Sequence, residues 1–214
     1  MRYIEFIIFD LDGTLVDSRK DIVNAVNFTL KNIGLKEKTI EEISSYIGTG
    51  VEDLIGKSLG VKKGNLFNKA LSVFEEYYSN HSTDNSILYP NVIEVLEYFK
   101  NKRKVIATNR KRKFALLTLK TLGINYYFED IIGGDDLACM KPSSCPLDRT
   151  INKFRMDKDK AIIVGDMHLD VLAGKEAGIL TCGVTYGIGK REYIIESMPD
   201  FMIDNLLDLK KIIK

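Results

Sequence analysis

Two carboxylates one residue apart, Asp10 and Asp12, follow the apolar run from Tyr3 to Phe9. The run is typical of a strand that is buried on both faces. In an open parallel sheet, ligands bind just outside the carboxyl ends of the strands, which is where this pair would lie. Two adjacent carboxylates repel each other unless a cation or a shared proton holds them together. The pair therefore indicates a small-molecule site, and the alternative interpretation is a strand followed by an acidic turn.

Polar side chains also follow later predicted strands, namely Thr108 with Asn109, then Lys141, then Asp166 with Asp170. A threonine hydroxyl at a strand end, beside exposed backbone N–H groups, can hold a phosphate oxygen. A lysine near carboxylates is, taken alone, more often part of a surface ion pair. Asp170 lies near the first turn of the next helix, where it is either a helix-start residue or points back to the same site. None of these positions is specific alone, so their order along the chain carries the argument.

Residues 10–18, with the sequence DLDGTLVDS, resemble the first motif of the haloacid dehalogenase-like phosphohydrolases. The other three motifs of that family are matched in the family's order by Thr108, by Lys141, and by Asp166 with Asp170. The resemblance covers nearly the whole of the predicted sheet domain. The helical stretch that follows the first motif is similar to the cap of phosphoglycolate phosphatase-like and β-phosphoglucomutase-like members.

The resemblance implies that Asp10 is a nucleophile that becomes phosphorylated and that Asp12 is the general acid and base. A phosphate monoester is a dianion that resists attack by a carboxylate, and its spontaneous hydrolysis is among the slowest biological reactions. A bound Mg²⁺ ion would cancel the repulsion and prefers oxygen ligands. The resemblance assigns these ligands to the carboxylates of Asp10 and Asp166 and to the backbone carbonyl of Asp12.

The remaining matched residues are expected to bind the phosphate and to orient the catalytic groups. Lys141 would add a fixed positive charge to the nucleophile and to the phosphoryl group, and Thr108, Asn109 and Lys141 would hold phosphate oxygens. Asp170 would orient Lys141 or a metal-bound water. The basic run at 110–113 is interpreted as a solvated helix start, although Asn109 and its neighbour Arg110 are close enough to meet an anionic substrate.

Alternating strand and helix patterns from residue 84 onward predict an α/β fold with a doubly wound parallel sheet, the Rossmann-like core of the family. The stretch 17–83 shows only helical spacing and no strand candidate. We therefore expect a core domain of residues 1–16 and 84–214 and an inserted, all-helical cap domain of residues 17–83. The insert begins at the loop that carries Asp10 and Asp12, so it should cover the site and exclude water.

The totals exclude several classes of protein. The formal net charge is +1, which argues against electrostatic binding of nucleic acid, and no apolar run is long enough to span a membrane. Glu5 and Asp10 interrupt what would be the apolar part of a signal peptide. The three cysteines form no C-x-x-C pair, which predicts reduced thiols in a cytoplasmic protein. No apolar stripe is clearly left over to indicate an oligomer interface, and the expectation is a monomer or weak homodimer.

The functional hypothesis is a Mg²⁺-dependent phosphatase that acts on a small phosphorylated metabolite, either phosphoglycolate-like or a sugar phosphate, through an aspartyl phosphate. The alternative is a sugar phosphomutase of the β-phosphoglucomutase type on the same scaffold, in which a sugar hydroxyl replaces water as the acceptor. A dehalogenase is disfavoured because that branch lacks a carboxylate equivalent to Asp12. A non-catalytic binding module would have lost catalytic side chains, and none is missing.

Overall fold

The computed structural model describes all 214 residues and contains eight strands. The strands are β1 (Phe6–Phe9), β2 (Val16–Asp17), β3 (Ile87–Leu88), β4 (Arg103–Ala107), β5 (Asp130–Ile132), β6 (Ala161–Gly165), β7 (Leu180–Val184) and β8 (Phe201–Ile203). Six of them form one parallel sheet in the order β5-β4-β1-β6-β7-β8. The predicted fold class, a doubly wound α/β sheet, is confirmed.

Strand β1 lies at the point where the strand order reverses, because the chain builds β4 and β5 on one side of it and the remaining strands on the other. Phe9, the last residue of β1, lies opposite Ile106 of β4 and Val164 of β6. The carboxyl ends of these three strands therefore meet. This switch point is where open α/β sheets bind their ligands.

Ten helices complete the fold. They are α1 (Arg19–Asn32), α2 (Ile40–Ser44), α3 (Val51–Leu59), α4 (Asn65–His81), α5 (Val92–Tyr98), α6 (Arg112–Thr121), α7 (Cys145–Phe154), α8 (His168–Ala177), α9 (Arg191–Glu196) and α10 (Leu209–Ile212). Helix α2 begins after a capping residue, because the Thr39 hydroxyl accepts a hydrogen bond from the Glu42 N–H at 3.2 Å. Helix α9 was not predicted, since its six residues are too few to show a helical period.

Buried side chains alternate between the two faces of β1. Ile7 and Phe9 join an apolar cluster of 23 residues, whereas Phe6 and Ile8 join one of 12 residues on the other face. This alternation follows from the two-residue period of a strand, and helices cover both faces. Burial on both faces explains why the sequence of β1 is an unbroken apolar run.

Helices α1, α3 and α4 enclose a third apolar cluster of 14 residues, which is separate from the two clusters of the sheet. Its only member from beyond residue 83 is Phe114 of α6. A short antiparallel pair, β2 with β3, links this helical part to the rest, with Val16 opposite Leu88. The prediction that no strand lies in the stretch 17–83 is wrong at Asp17, because a two-residue strand is too short to leave a periodic pattern.

Two of the three cysteines differ from the prediction. Cys139 and Cys145 form a disulfide, with their Cα atoms 6.2 Å apart, whereas Cys182 is free and buried in β7. The prediction that all thiols are reduced is therefore wrong for this pair. The spacing of six residues fits no recognised sequence pattern, and only the fold of the loop before α7 brings the two sulfur atoms together.

The helices were also compared with the requirements of a membrane span. None of them combines the length and the apolar character that a membrane span requires.

Candidate active site

Lys141 joins two carboxylates at the floor of a cavity beneath the helical insert. Its Nζ donates to Oδ1 of Asp10 at 2.7 Å and to Oδ1 of Asp170 at 2.6 Å. Asp10 follows β1 and Asp170 lies in the first turn of α8, so residues far apart in sequence meet here. All three side chains are buried, which strengthens these charge-assisted hydrogen bonds because little water competes for them.

Asn109 fixes the backbone of Lys141. Its side-chain carbonyl accepts from the Lys141 N–H at 3.0 Å, and its amide donates to the Lys141 carbonyl at 2.8 Å. The same amide donates to the Gly48 carbonyl of the insert at 2.8 Å. The side chain of Asn109 is therefore engaged in positioning other residues, while its backbone N–H has no acceptor in the protein. Phosphate binding by Asn109 remains a prediction, and this backbone group is the available donor.

Thr108 directly follows β4, lines the same cavity and is buried. Its hydroxyl accepts from the Arg110 N–H at 3.2 Å, and its own N–H continues the sheet by donating to Ile132. The backbone N–H of Asp12, on the neighbouring strand end, also lacks an acceptor in the protein. These donors at adjacent strand ends form the kind of concave backbone site that binds phosphate oxygens.

Asp166 lies at the end of β6 and is fully buried. Its Oδ1 accepts from the Thr14 hydroxyl at 3.1 Å, and its Oδ2 accepts from the N–H groups of Ile188 and Gly189 at 2.8 and 2.9 Å. The approach to Gly13 is very close, because a Cβ atom at that position would lie 2.1 Å from Oδ2. Gly13 also has a φ of 89°, which favours glycine.

Three carboxylates, those of Asp10, Asp166 and Asp170, have oxygen atoms within 4.8 Å of one another. Burial raises the pKa of Asp10 to about 6 and, together with the charges of Asp10 and Asp170, raises that of Asp166 to about 8. One lysine cannot neutralise three buried carboxylates, so the cluster must either hold a proton or bind a further cation. Oxygen donors in this arrangement suit a hard divalent cation. The residues present therefore fit a metal ion of this kind.

Asp12 lies two residues from Asp10, but its side chain contacts different partners. Its Oδ1 accepts from the Ser18 hydroxyl and lies 2.6 Å from Nη2 of Arg110. Burial raises the pKa of Asp12, and the adjacent guanidinium of Arg110 opposes that shift. The Asp12 carboxylate therefore stands outside the acidic cluster but lines the same cavity, where it can exchange a proton with a bound ligand.

The interpretation of the basic run at 110–113 as a solvated helix start is wrong for Arg110 and Lys111, whereas the side chains of Arg112 and Lys113 are exposed. The Arg110 side chain is only 5% exposed, and its guanidinium carbon lies 5.4 Å from the ring centre of Tyr78 in α4. Lys111 and Lys113 pair with Glu75 of the same helix. The run follows Thr108 directly, which was the available signal, but composition alone does not distinguish a surface cation from a cation that packs under an insert.

The cavity has a volume of about 70 Å³ and lies between the edge of the sheet and the insert. The sheet side contributes polar groups, including Asp10, Asp12, Thr108, Lys141 and Asp170. The insert contributes an apolar wall, including Ile22, Val51, Leu54, Phe74 and Tyr78. An apolar wall opposite a few convergent polar groups is typical of a binding site for a small molecule. Of the predicted site residues, only Asp166 does not line this cavity.

A doubly wound parallel sheet with an acidic site at its switch point, covered by a helical insert, defines a class of α/β hydrolases. The chain belongs to the haloacid dehalogenase-like hydrolase family, which it matches over residues 7–184. The family predicted from the four motifs is thereby confirmed.

Curated relatives that align with nearly the whole chain are phosphoglycolate phosphatases. The chain is 34% identical to that of Vibrio parahaemolyticus, with 98% of this chain and 96% of the relative covered. It is 35% identical to that of Aquifex aeolicus, with 96% and 95% covered. The crystal structure of a predicted phosphoglycolate phosphatase from Haemophilus somnus superimposes with a TM-score of 0.93 over 99% of both chains, at 31% identity. These similarities assign the chain to the phosphoglycolate phosphatase-like branch.

Proposed function

We propose that this chain is a Mg²⁺-dependent phosphatase that hydrolyses a small phosphorylated metabolite, with phosphoglycolate as the first candidate. The phosphatase class follows from the family and from the named activity of the relatives. The observation that carries the assignment of the site is the contact of Lys141 with Asp10 at 2.7 Å, at the floor of the cavity. That contact orients a carboxylate beneath the place where a phosphate would bind.

Asp10 is the proposed nucleophile. Lys141 holds its Oδ1, which leaves Oδ2 without a side-chain partner and able to attack the phosphorus atom. As the new oxygen–phosphorus bond forms, the ester bond breaks and the leaving oxygen takes a proton from Asp12. Asp12 then removes a proton from the water that attacks the aspartyl phosphate. Phosphate then leaves, the Asp10 carboxylate is regenerated, and Asp12 again carries the proton that it gave to the leaving oxygen.

The metal site proposed here consists of the carboxylates of Asp10 and Asp166 and the backbone carbonyl of Asp12. When bound, Mg²⁺ would offset the negative charge of the phosphoryl oxygens next to the attacking carboxylate. Asp170 is proposed to orient Lys141, which is supported by their 2.6 Å contact. The N–H groups of Asp12 and Asn109 and the hydroxyl of Thr108 would donate hydrogen bonds to the phosphate oxygens.

The division into two domains is also a proposal, with residues 1–16 and 84–214 as the core and residues 17–83 as the cap. It is supported by the separate apolar cluster of the insert and by the narrow connection through β2 and β3. A cap of this kind would exclude bulk water from the cavity and would restrict the size of the substrate.

We further infer a cytoplasmic location and a monomeric or weakly dimeric state, without nucleic acid or membrane partners. Phosphate monoesters are dianions that do not cross membranes unaided, so a phosphatase for metabolites is expected where they are made. The formal net charge of +1 favours a small-molecule substrate over nucleic acid. The disulfide between Cys139 and Cys145 removes the earlier argument from reduced thiols. Size-exclusion chromatography would test the oligomeric state.

The decisive experiment is a phosphate-release assay on p-nitrophenyl phosphate and on a panel of phosphorylated metabolites, run with Mg²⁺ and with chelator. We expect hydrolysis that requires the metal, and we expect Asp10→Asn to lose at least about a thousandfold in kcat while its melting curve stays cooperative. Isomerisation of a sugar phosphate without release of free phosphate would favour the phosphomutase. An Asp10→Asn variant with the kcat of the original chain would refute the role of Asp10.

A further inference from the structure

We propose that Arg110 is a positioning residue, which holds the Asp12 carboxyl group in the orientation from which it protonates the leaving oxygen. Asp12 is the proton donor of the proposed function, on which this role of Arg110 rests. The role is visible in the two oxygen atoms of the Asp12 side chain, because their surroundings in the protein differ.

Only one oxygen of the Asp12 side chain is occupied by protein groups. The Ser18 hydroxyl donates to Oδ1, and Nη2 of Arg110 lies 2.6 Å from the same atom. Oδ2 accepts no hydrogen bond from the protein, and the Asp12 side chain keeps 14% of its surface exposed where it lines the cavity. A proton on this carboxyl group is therefore carried by Oδ2, because Oδ1 faces a hydroxyl donor and a cation.

The guanidinium of Arg110 is itself held by groups that lie outside the acidic cluster. Its Nη1 donates to the hydroxyl of Thr118 in α6 at 2.7 Å, and Thr118 is fully buried. Its carbon atom lies 5.4 Å from the ring centre of Tyr78 in α4. A supporting side chain that is locked by its own contacts keeps a catalytic group in its productive geometry. Arg110 is therefore fixed before a substrate binds.

The contact with Arg110 adds what the contact with Ser18 lacks. A single hydrogen bond from Ser18 leaves the Asp12 carboxyl group free to turn about that bond, whereas a second, charged partner on the same oxygen restricts the turn. The pairing also accounts for the burial of Arg110, because a buried charge is costly unless it is paired. Asp12 is the only carboxylate within ion-pair distance of the Arg110 side chain.

The orientation of Asp12 matters most for esters of weakly acidic alcohols. When Asp10 attacks phosphorus, the ester bond breaks and its electron pair stays on the leaving oxygen, which takes the proton from Oδ2 of Asp12. An alkoxide leaves slowly without that proton, whereas p-nitrophenolate is stable as an anion and leaves readily without it. A misoriented Asp12 should therefore slow alkyl esters selectively. A loss of packing or of phosphate binding would slow both kinds of ester alike.

The test compares kcat/KM for benzyl phosphate and for p-nitrophenyl phosphate, whose leaving groups are neutral before cleavage and similar in size. This parameter covers the steps up to departure of the leaving group, so hydrolysis of the aspartyl phosphate, which both esters share, does not enter it. The complete chain is assayed with Mg²⁺ beside its variants. We expect Arg110→Met to lower kcat/KM by about 10- to 100-fold for benzyl phosphate and by less than about threefold for p-nitrophenyl phosphate.

Two further variants separate positioning from other effects. Thr118→Val releases only Nη1 of Arg110, and we expect it to lower the ratio of the two kcat/KM values by about two- to tenfold. Asp12→Asn should show the selective loss in full. Adding Arg110→Met to Asp12→Asn should then change the ratio by less than about twofold, because the group that Arg110 positions no longer donates a proton.

Lys120→Met is the matched control, since Lys120 is an exposed cation in the last turn of the same helix as Thr118. We expect it to leave the ratio within about twofold of the original. An equal loss on both esters in Arg110→Met, or a further selective loss in the Asp12→Asn background, would overturn the proposal. If Arg110→Met does not fold, an unchanged ratio in Thr118→Val would overturn it.

The original chain separates this proposal from the proposed function. Hydrolysis of p-nitrophenyl phosphate without hydrolysis of benzyl phosphate would overturn the positioning of Asp12 and would leave the phosphatase assignment intact. Absence of phosphate release from p-nitrophenyl phosphate as well would refute the phosphatase assignment, and the role of Arg110 with it.

Discussion

Gly13 illustrates how one residue can decide the geometry of the acidic site. It allows the backbone to turn after Asp12, and it leaves room for the Asp166 carboxylate, whose Oδ2 would lie 2.1 Å from an added Cβ. The same carboxylate is fixed by Thr14 and by two backbone N–H groups. A side chain at Gly13 would therefore displace a proposed metal ligand while leaving the proposed catalytic residues Asp10, Asp12 and Lys141 unchanged.

The first prediction compares Gly13→Ala with Gly34→Ala. Both glycines have positive φ values, 89° and 80°, but a Cβ at Gly34 would meet nothing within 4 Å. Each substitution should cost about 1 to 2 kcal/mol of unfolding free energy for the left-handed backbone. Only Gly13→Ala should also raise the Mg²⁺ concentration that gives half-maximal activity. Equal effects of the two variants on the Mg²⁺ requirement would contradict the proposed role of Asp166.

The second prediction concerns thiol reactivity. Burial raises the pKa of Cys182 to about 12, so at pH 8 its thiol stays protonated and unreactive. Iodoacetamide should label no cysteine in the native protein, one in the denatured protein, and three after denaturation with reductant, as counted by mass spectrometry. Three labels without reductant would show that Cys139 and Cys145 are not paired.

At the scale of elements, the junction between the insert and the sheet depends on Asp21 of α1. Its buried carboxylate accepts from the N–H groups of Asn85 and Ser86 at 2.9 and 2.8 Å, and from the Ser86 hydroxyl at 2.6 Å. These bonds connect the start of the helical insert to the segment that leads out of it, beside the β2–β3 pair. Asp21 therefore closes the connection between the two proposed domains.

The third prediction follows from this junction. Asp21→Ala leaves several buried donors without an acceptor, which should lower the unfolding free energy by about 2 to 4 kcal/mol in urea. Asp84→Asn is the control, because Asp84 is exposed and pairs only with His81 in the same region. That change should stay within about 0.5 kcal/mol. A comparable loss in the two variants would show that the buried contacts of Asp21 add nothing.

Helix α6 performs a related function on the other side of the cavity. Lys111 and Lys113 at its start pair with Glu75 of α4, and Phe114 enters the apolar cluster of the insert. Asn109, just before this helix, contacts Gly48 of the insert. The β4–α6 segment thus connects the proposed phosphate-binding residues to the insert, so that closure of the cavity and positioning of Lys141 involve the same residues.

At the scale of the whole molecule, the site concentrates negative charge in the buried centre of a chain that is nearly neutral overall. Asp10, Asp166 and Asp170 converge from two strand ends and one helix, and only Lys141 lies among them. Such a cluster destabilises the folded state unless it is protonated or bound to a cation. Stability should therefore depend on both pH and Mg²⁺.

The fourth prediction uses the sign of these pKa shifts. The pKa values of Asp10 and Asp166 are raised in the folded protein to about 6 and about 8, so the folded state binds protons more tightly than the unfolded state. The contribution of these two groups to the stability of the metal-free protein should therefore fall as pH rises from the ordinary aspartate pKa of 3.8 through the raised values of about 6 and about 8. Mg²⁺ should raise the melting temperature, and more at pH 8 than at pH 6, because protons compete with the metal.

Asp166→Asn is the informative variant in that experiment, measured by differential scanning calorimetry with and without Mg²⁺. It removes one of the raised carboxylates and one proposed ligand. The pH dependence of the metal-free protein and the stabilisation by Mg²⁺ should both shrink. A Mg²⁺-induced shift that is unchanged in Asp166→Asn would place the metal elsewhere.

The amino-acid sequence by itself predicted the parallel sheet, the succession of most strands and helices along the chain, and the candidate catalytic residues. Buried strands have apolar sequences, such as the run before Asp10, and an abrupt change to polar residues marks where they end. Parallel strands bring such ends to one edge, so Asp10, Thr108 and Asp166 could be predicted to meet without knowledge of any contact. Short elements such as β2 and α9 escaped because a period cannot be seen in a few residues.

Only the tertiary structure decided which partner each polar side chain takes. Arg110 contacts Asp12 and Tyr78. The Asn109 amide donates to Lys141 and Gly48, and Cys139 forms a disulfide with Cys145. Each of these choices depends on the distance between segments that are separate along the chain or folded back on each other. Local pattern encodes the elements and where they end, whereas the burial and pairing of a charge depend on everything packed around it.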